Sequence, residues 1–370
     1  MSTMEPSGEK DHYRRIIAKT AKQHQLFSVH WELTYRCNLR CTHCYVVKPG
    51  DSGFSAPGPE LSTEECKDII DQLADENALN ITFSGGEPLV RSDFFEIAQY
   101  ARGKRFAVRL LTNGTLITPE IADKIAALYP FSVEMSVYGA RAETHDGITL
   151  VSGSFERVVR AFHLLHERGV RTLVKTPLMK ENINEFNAIR GLAEELGTNF
   201  HYGITISPKD DGCMLPLRHR LSDQDLLELF RQEIDPEKWK PITTRADNHV
   251  CLSGLNYICI NPYGEVFPCV QIKISAGNLR QQSLWAIWRN APTLERMRGI
   301  TQSSFKSCAA CDLRQFCAFC PGVALIEEGD LLSPSSVACR EARLRHQVLK
   351  EKGGSINHEE RRKESPEEEV

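Results

Sequence analysis

Residues 30–46 read HWELTYRCNLRCTHCYV: a strand-like run, a turn, then Cys37, Cys41 and Cys44 at C-x3-C-x2-C spacing. Zinc sites are commonly built from paired C-x2-C knuckles that complete four ligands, so a lone triplet is one ligand short. Three thiolates suit a cubane 4Fe-4S cluster that keeps one iron free of protein ligands. Such an iron is a place to bind and activate a small molecule. Because the triplet directly follows a strand, the next question is what that strand belongs to.

From about residue 28 to 206 the chain alternates β-type runs with helical patterns. The periodicity predicts strands at 29–33, 80–83, 107–111, 131–137, 171–176 and 200–206, and helices at roughly 62–77, 92–102, 118–128, 154–167 and 183–196. Units of about 30 residues are the size of a βα repeat with right-handed crossovers. Six units are too few to close an eight-stranded barrel. Ser62 before Thr63, Glu64 and Glu65 supplies a cap and an acidic first turn. Cys66 shares a helix face with Ile69, Ile70 and Leu73, so it reads as core.

The 370 residues suggest two domains at about 150 residues each. With 45 Lys+Arg against 49 Asp+Glu the formal net charge is -4. That balance argues against nucleic-acid binding and against a membrane-surface protein, both of which favour a basic stripe. A hydrophobic content of 41% with 25% charged residues supports a sizeable core. The unusual count is 13 cysteines. They cluster at 37–44 and again from Cys251 to Cys339, and no apolar run of signal or membrane-spanning length is present. The chain therefore reads as cytoplasmic, with its thiols acting as metal ligands rather than as a disulfide framework.

The triplet, in the form CNLRCTHCY, resembles the signature of radical S-adenosylmethionine (SAM) enzymes. In that family the open iron chelates SAM, and reductive cleavage yields a 5'-deoxyadenosyl radical that abstracts hydrogen from a substrate. Three further segments fall at matching strand ends, where active sites of such folds sit. Ser84-Gly85-Gly86-Glu87 resembles the family's GGE motif, which contacts the SAM ammonium. Asn113 ends the third strand beside the expected SAM pocket, and Ser136 ends the fourth, in a segment that reaches the ribose and carboxylate. The resemblance thus implies Ser84, Gly85, Gly86, Glu87, Asn113 and Ser136 as cofactor contacts. Tyr138 and Cys213 are the catalytic candidates; each also has an ordinary packing or loop reading. Lys175, ending the fifth strand, is within reach of a carboxylate or substrate.

Further on, CLSGLNYICINPYGEVFPC places Cys251 twelve residues before Gly264, with Cys269 after four more. Cys308, Cys311, Cys317, Cys320 and Cys339 follow. This resembles the SPASM extension of many radical SAM enzymes, with one residue fewer than usual between Cys317 and Cys320. The resemblance implies a nearer auxiliary cluster on Cys251, Cys259, Cys269 and Cys320, and a farther one on Cys308, Cys311, Cys317 and Cys339. Zinc knuckles are the alternative for the C-x2-C pairs. The cofactor set is then three 4Fe-4S clusters, one SAM-binding and two auxiliary, plus SAM. The fold class is α/β: a partial (β/α)6 barrel with a C-terminal cysteine-rich iron-sulfur domain. The expected division is an N-terminal extension (1–25), the radical SAM partial barrel (26–234), a linker (235–248), the auxiliary-cluster domain (249–350) and a charged, disordered tail (351–370).

The resemblance implies hydrogen abstraction from a peptide or small-molecule substrate, first of all a ribosomally made peptide undergoing crosslinking or oxidation. A tetrapyrrole, haem or peptide-derived cofactor pathway is the alternative. An anaerobic sulfatase maturase is demoted because Val270, not Asp, follows Cys269. A non-catalytic electron carrier would have no use for an ammonium pocket. The implied partners are a low-potential electron donor such as flavodoxin or ferredoxin and, since about 25 residues are too few for a leader-binding domain, a separate leader-peptide recognition protein.

Overall fold

The structure, a computed structural model, describes residues 7–51, 54–239 and 248–353. The expected tail beyond 353, the middle of the expected linker (240–247) and residues 1–6 lie outside the described residues.

Six parallel strands carry the array: β1 (Ser28–Thr34), β2 (Asn80–Gly85), β3 (Ala107–Thr112), β4 (Ser132–Ser136), β5 (Thr172–Pro177) and β6 (Asn199–Gly203). Each of the first five pairs with its successor in sequence, as right-handed βα crossovers require. Helices at Thr63–Asp75, Phe94–Gly103, Pro119–Ala127, Ser154–His166 and Phe186–Glu195 connect them. Their starts follow from side-chain chemistry. Ser62 and Glu65 form a reciprocal capping box, and Thr118 caps a helix whose first residue is Pro119.

The strands alternate. Val29, Trp31 and Leu33 of β1 face the helices and join Phe83 and Phe94 in the main core. Trp31 and Phe83 lie 6.1 Å apart between ring centroids, and Phe83 and Phe94 6.0 Å. With those residues spoken for, His30, Glu32 and Thr34 point to the inner, barrel-like face. The same parity runs through β2 to β5.

The sheet does not end at β1. Three short strands from the cysteine-rich region extend it: β7 (Tyr257–Ile260), β8 (Glu265–Phe267) and β9 (Gly277–Asn278). β7 pairs parallel to β1, and β8 and β9 follow antiparallel, so the order is β6-β5-β4-β3-β2-β1-β7-β8-β9. The barrel is therefore partial and open, and the auxiliary region is joined to the first strand by backbone hydrogen bonds. Helices that the sequence reading did not place also appear, among them four longer ones in the C-terminal region (Leu284–Asn290, Pro292–Arg298, Pro321–Glu328 and Ser336–Glu351) and two that brace the barrel. Ser7–Lys22 is tied to the C-terminal region by Asn256, whose Nδ2 donates to Ile17 O (3.1 Å) and Thr20 Oγ1 (2.9 Å). Ala142–Thr149 follows β4 and buttresses the first cysteine loop. The last expected strand is shorter than predicted, stopping at Gly203. No described helix is long and apolar enough to cross a membrane.

Gly264 makes the β7–β8 turn at φ +83°, a conformation that L side chains rarely adopt. Its N–H donates to Asn261 O (3.2 Å). Gly264→Ala should lower stability by about 1–2 kcal/mol, read as a drop in thermal midpoint; an unchanged midpoint would mean the turn tolerates a side chain.

Candidate active site

The first cysteine loop is held from three sides at the C-terminal ends of the strands. From β2, Gly86 N donates to Thr34 O (2.7 Å) and Glu87 N to Arg36 O (2.9 Å). A Cβ on Gly85 would lie 2.3 Å from Thr34 O, and one on Gly86 2.3 Å from Arg36 O. These two glycines are required because the backbone of β2 presses on the residues leading into Cys37. From β3, Asn113 Nδ2 donates to Asn38 Oδ1 (2.9 Å) and lies 3.9 Å from Cys37 Sγ. From the other side, Arg40 N and Thr42 N donate to Thr149 O and Ile148 O (3.1 and 3.0 Å), at the end of the Ala142–Thr149 helix.

Glu87 is fully buried and accepts from Thr112 Oγ1 (2.7 Å), Asn113 N (2.7 Å) and Leu89 N (3.0 Å). Burial pushes its carboxyl above the usual range, partly offset by those donors. Its carboxylate thus ties the end of β2 to the end of β3. Ser84 sits buried on the inner face and Ser136 half-buried at the end of β4.

Cys37, Cys41 and Cys44 are half-buried free thiols within one another's electrostatic reach. Burial, with Cys44 adding, pushes Cys41 up to about 12. The Lys48 ammonium offsets part of that burial effect at Cys37 and Cys41, and metal binding displaces the remaining thiol protons. Tyr138 is buried, with its hydroxyl in hydrogen-bonding reach of Cys41 and Ser136 and its ring edge-on to His43 at 4.8 Å. Its backbone N–H donates to His145 Nδ1 (3.1 Å). Burial holds His43 and His145 neutral, at about 3 and 4. Tyr138 therefore packs beneath the cysteine loop. Cys213 lies half-buried in the loop after β6, where its N–H donates to Asp211 Oδ1 (2.9 Å).

The later cysteines fall into two groups. Cys269 has Cys320 and Cys251 in its electrostatic surroundings, and Ser253 hydrogen-bonds its side chain. A Cβ on Gly322 would lie 2.6 Å from Gln271 Cβ, so a glycine two residues after Cys320 lets that strand of chain approach the Cys269 segment. Cys259 stands in β7, fully buried on the inner face in register with His30, with Cys269 within its field. Cys308, Cys311, Cys317 and Cys339 together line a cavity of about 360 Å³ with walls that include Phe305, Leu313 and Phe319. Burial, with Cys339 adding, pushes Cys317 up to about 11. Among the described residues no three His, Cys, Asp or Glu side chains close around a single ion. All thirteen cysteines are free. The donor chemistry, the cavity lined by Cys308, Cys311, Cys317 and Cys339, and the grouping of the remaining thiols fit three iron-sulfur clusters.

The sequence reading missed the group that joins these regions. Glu32 on β1 is fully buried and accepts from Tyr45 OH (3.1 Å), Tyr35 OH (3.2 Å) and Lys273 Nζ (3.0 Å). Tyr45 follows Cys44, and Lys273 lies four residues after Cys269. Asp210, in the loop after β6, lies 3.5 Å from Lys273 Nζ and donates its backbone N–H to Tyr45 O (2.9 Å). Burial lifts its carboxyl to about 7, against the pull of Lys273. No sequence signal singled it out, because Glu32 alternates with Trp31 and Leu33 on the same polar face as His30 and Thr34.

Comparison with known proteins agrees with this geometry. Residues 31–193 match the radical SAM superfamily, and residues 251–312 match SPASM, an iron-sulfur cluster-binding domain. An AdoMet-dependent haem synthase of Methanosarcina barkeri is 33% identical over 329 residues, covering 82% of this chain and 93% of that protein. A mycofactocin maturase of Mycolicibacterium smegmatis is 32% identical over 306 residues, covering 76% of this chain and 74% of that protein. The crystal structure of Streptococcus suis SuiB bound to its precursor peptide SuiA shares the fold, with a TM-score of 0.66 at 16% identity, covering 91% of this chain and 82% of that one. The chain belongs to the radical SAM superfamily and carries a C-terminal SPASM domain. It is an enzyme whose cofactors are SAM, a SAM-binding 4Fe-4S cluster and auxiliary iron-sulfur clusters.

Removing one member of a buried ion pair strands the other. Glu32→Leu should destabilise the protein by about 3 kcal/mol, and Glu32→Leu/Lys273→Met should recover most of that loss in urea unfolding. Equal loss in the single and double variants would contradict the pairing.

Proposed function

We propose that the chain reductively cleaves SAM and uses the resulting 5'-deoxyadenosyl radical to abstract hydrogen from a substrate, first of all a ribosomally made peptide undergoing maturation. The observation that carries this reading is the convergence of the Cys37–Cys41–Cys44 loop, the Gly85-Gly86-Glu87 turn, Asn113 and Ser136 at successive strand ends. Cys37, Cys41 and Cys44 would hold the SAM-binding cluster. Ser84, the two glycines, Glu87, Asn113 and Ser136 would form the SAM pocket, with Glu87 fixing the ends of β2 and β3. Bound there, SAM and its cluster supply the radical; the protein's part is to position them and exclude water.

Cys251, Cys269 and Cys320, with Cys259 as fourth thiol, would hold the nearer auxiliary cluster, and Cys308, Cys311, Cys317 and Cys339 the farther one. Tyr138, through its reach to Cys41, takes a positioning part, and Cys213 remains the thiol candidate in the loop after β6. A low-potential flavodoxin or ferredoxin would deliver electrons, a separate recognition protein would present a leader, and the cytoplasm is the compartment such clusters need. We divide the chain as the cysteine pattern suggests, with the barrel at 26–234 and the auxiliary-cluster domain at 249–350.

The peptide reading is supported by the likeness to a mycofactocin maturase and by the open sheet, whose inner face a chain segment can approach from the side. One observation favours a second reading, haem formation: the match to a haem synthase extends over 93% of that protein.

Anaerobically reconstituted protein should hold about twelve irons in three four-iron clusters and release 5'-deoxyadenosine from SAM with a reductant. Cys37→Ala/Cys41→Ala/Cys44→Ala should lose about four irons and all release. Zinc in place of iron, or no release from the fully loaded protein, would defeat the reading.

A further inference from the structure

The two ends of the sheet are finished differently. At one end β7, β8 and β9 extend it past β1; at the other, β6 is the last strand and has a neighbour on one side only. Leu178 N donates to Gly203 O (2.7 Å), which turns the backbone of Gly203 toward β5. Backbone groups alternate along a strand in a parallel pair, so those of His201 and Asn199 turn the same way. Val137 N donates to Lys175 O (3.0 Å), which commits the odd positions of β5 to β4 and leaves the even ones for β6. The N–H and C=O groups of Phe200 and Tyr202 therefore point away from the sheet, and those of Ile204 are next in line.

Free edges are commonly guarded by a lysine, a proline or a bulge. β6 reads Asn-Phe-His-Tyr-Gly, and its register with β5 is unbroken, so it has none of the three. Instead, a groove of about 780 Å³ lies against it. The groove takes residues 200–204 in succession, about 13 Å at strand rise. Phe200, Tyr202 and Ile204 pack toward the outer helices, whereas His201 and Gly203 face the opposite way. A groove that touches both sets follows the edge itself. The rest of its lining includes Phe230 of the Asp223–Glu233 helix, Ile234 and Trp239, whose ring stacks on Phe316 at 5.0 Å.

The charges of the groove are already matched. Arg190 Nη2 lies 2.6 Å from Glu233 Oε1, and Tyr202 OH donates to Glu233 Oε2 (3.1 Å). Arg345 Nη2 lies 2.8 Å from Glu341 Oε2. A charged ligand would find no free counter-ion among these groups. What they leave open is a row of backbone donors and acceptors beside aromatic walls. A flat apolar molecule answers the walls and not the row, whereas an extended peptide with neutral side chains answers both.

We propose that β6 binds an extended, uncharged segment of the substrate peptide as an added strand. This rests on the peptide reading above and deepens it. The loop that follows β6 carries Asp210, whose N–H donates to Tyr45 O (2.9 Å), one residue beyond Cys44. A segment seated on β6 thus holds neighbouring residues of the same peptide beside the strand ends where SAM would react.

The test is hydrogen–deuterium exchange of the reconstituted full chain with SAM, read over residues 199–204, with and without acetyl-Lys-Thr-Val-Tyr-Val-Thr-Lys-amide. Two N-methylated versions accompany it: one methylated on alternate residues, which keeps one strand edge intact, and one on successive residues, which keeps neither. The first two peptides should slow exchange over 199–204 and, in calorimetric titration, bind about 10-fold more tightly than the third. Tyr202→Pro removes an outward N–H and no bond of the sheet, and should weaken binding about 10-fold. Tyr202→Phe keeps that N–H and the ring, and should retain binding; circular dichroism and iron content confirm that both variants fold. No slowing over 199–204, equal binding of the three peptides, or full binding by folded Tyr202→Pro overturns the site. Slow exchange there in the chain alone also overturns it: the cover is then the chain's own residues 240–247 or, where protection grows with protein concentration, a second copy. The peptide reading fails separately, by formation of haem when the wild-type chain is given SAM, a reductant and an iron porphyrin precursor.

Discussion

Glu32 is the point on which the arrangement of the clusters depends. It is a carboxylate in the middle of the first strand, with no exposure to solvent, and it is tolerable there only because two tyrosine hydroxyls and one ammonium converge on it. Those partners are not local decorations. Tyr45 belongs to the loop of the first cysteine triplet, and Lys273 to the segment that follows Cys269. Because an unpaired buried charge is so costly, both cysteine-bearing segments are drawn to the same few ångströms of strand. The parallel pairing of β7 with β1 does the same through the backbone.

This explains why the cysteine-rich region is less separate than its composition suggests. Its first three strands complete the sheet rather than forming one of their own. Its hairpin turn needs a glycine at position 264, and the approach of the Cys320 segment needs one at 322. The resemblance to SPASM domains implies which thiols group together; the glycines between them show how the chain bends.

Much of the fold was legible because a parallel sheet buried against helices imposes strict alternation. The runs around Trp31, Phe83 and Leu110 announced themselves, and the first strands begin and end within a residue or two of expectation. The Ala142–Thr149 helix did not, because AETHDGIT buries only His145, Ile148 and Thr149 and lacks an apolar stripe. β7 to β9 were hidden by their shortness, two to four residues each. At the site, the strand-end motifs were visible because glycines and cysteines have few other reasons to cluster. The Glu32–Lys273 pair was not, since its members stand 241 positions apart and neither is unusual where it stands.

The central claim is that the thiols gather into three groups, each built to hold iron and sulfur, around one sheet. The most direct measurement is anomalous diffraction at the iron edge from crystals grown anaerobically. The account predicts three iron peaks, one beside Cys37, Cys41 and Cys44, one beside Cys251, Cys269 and Cys320, and one within the cavity of Cys308, Cys311, Cys317 and Cys339. Peaks at the zinc edge alone, or an iron peak confined to the first group, would contradict it.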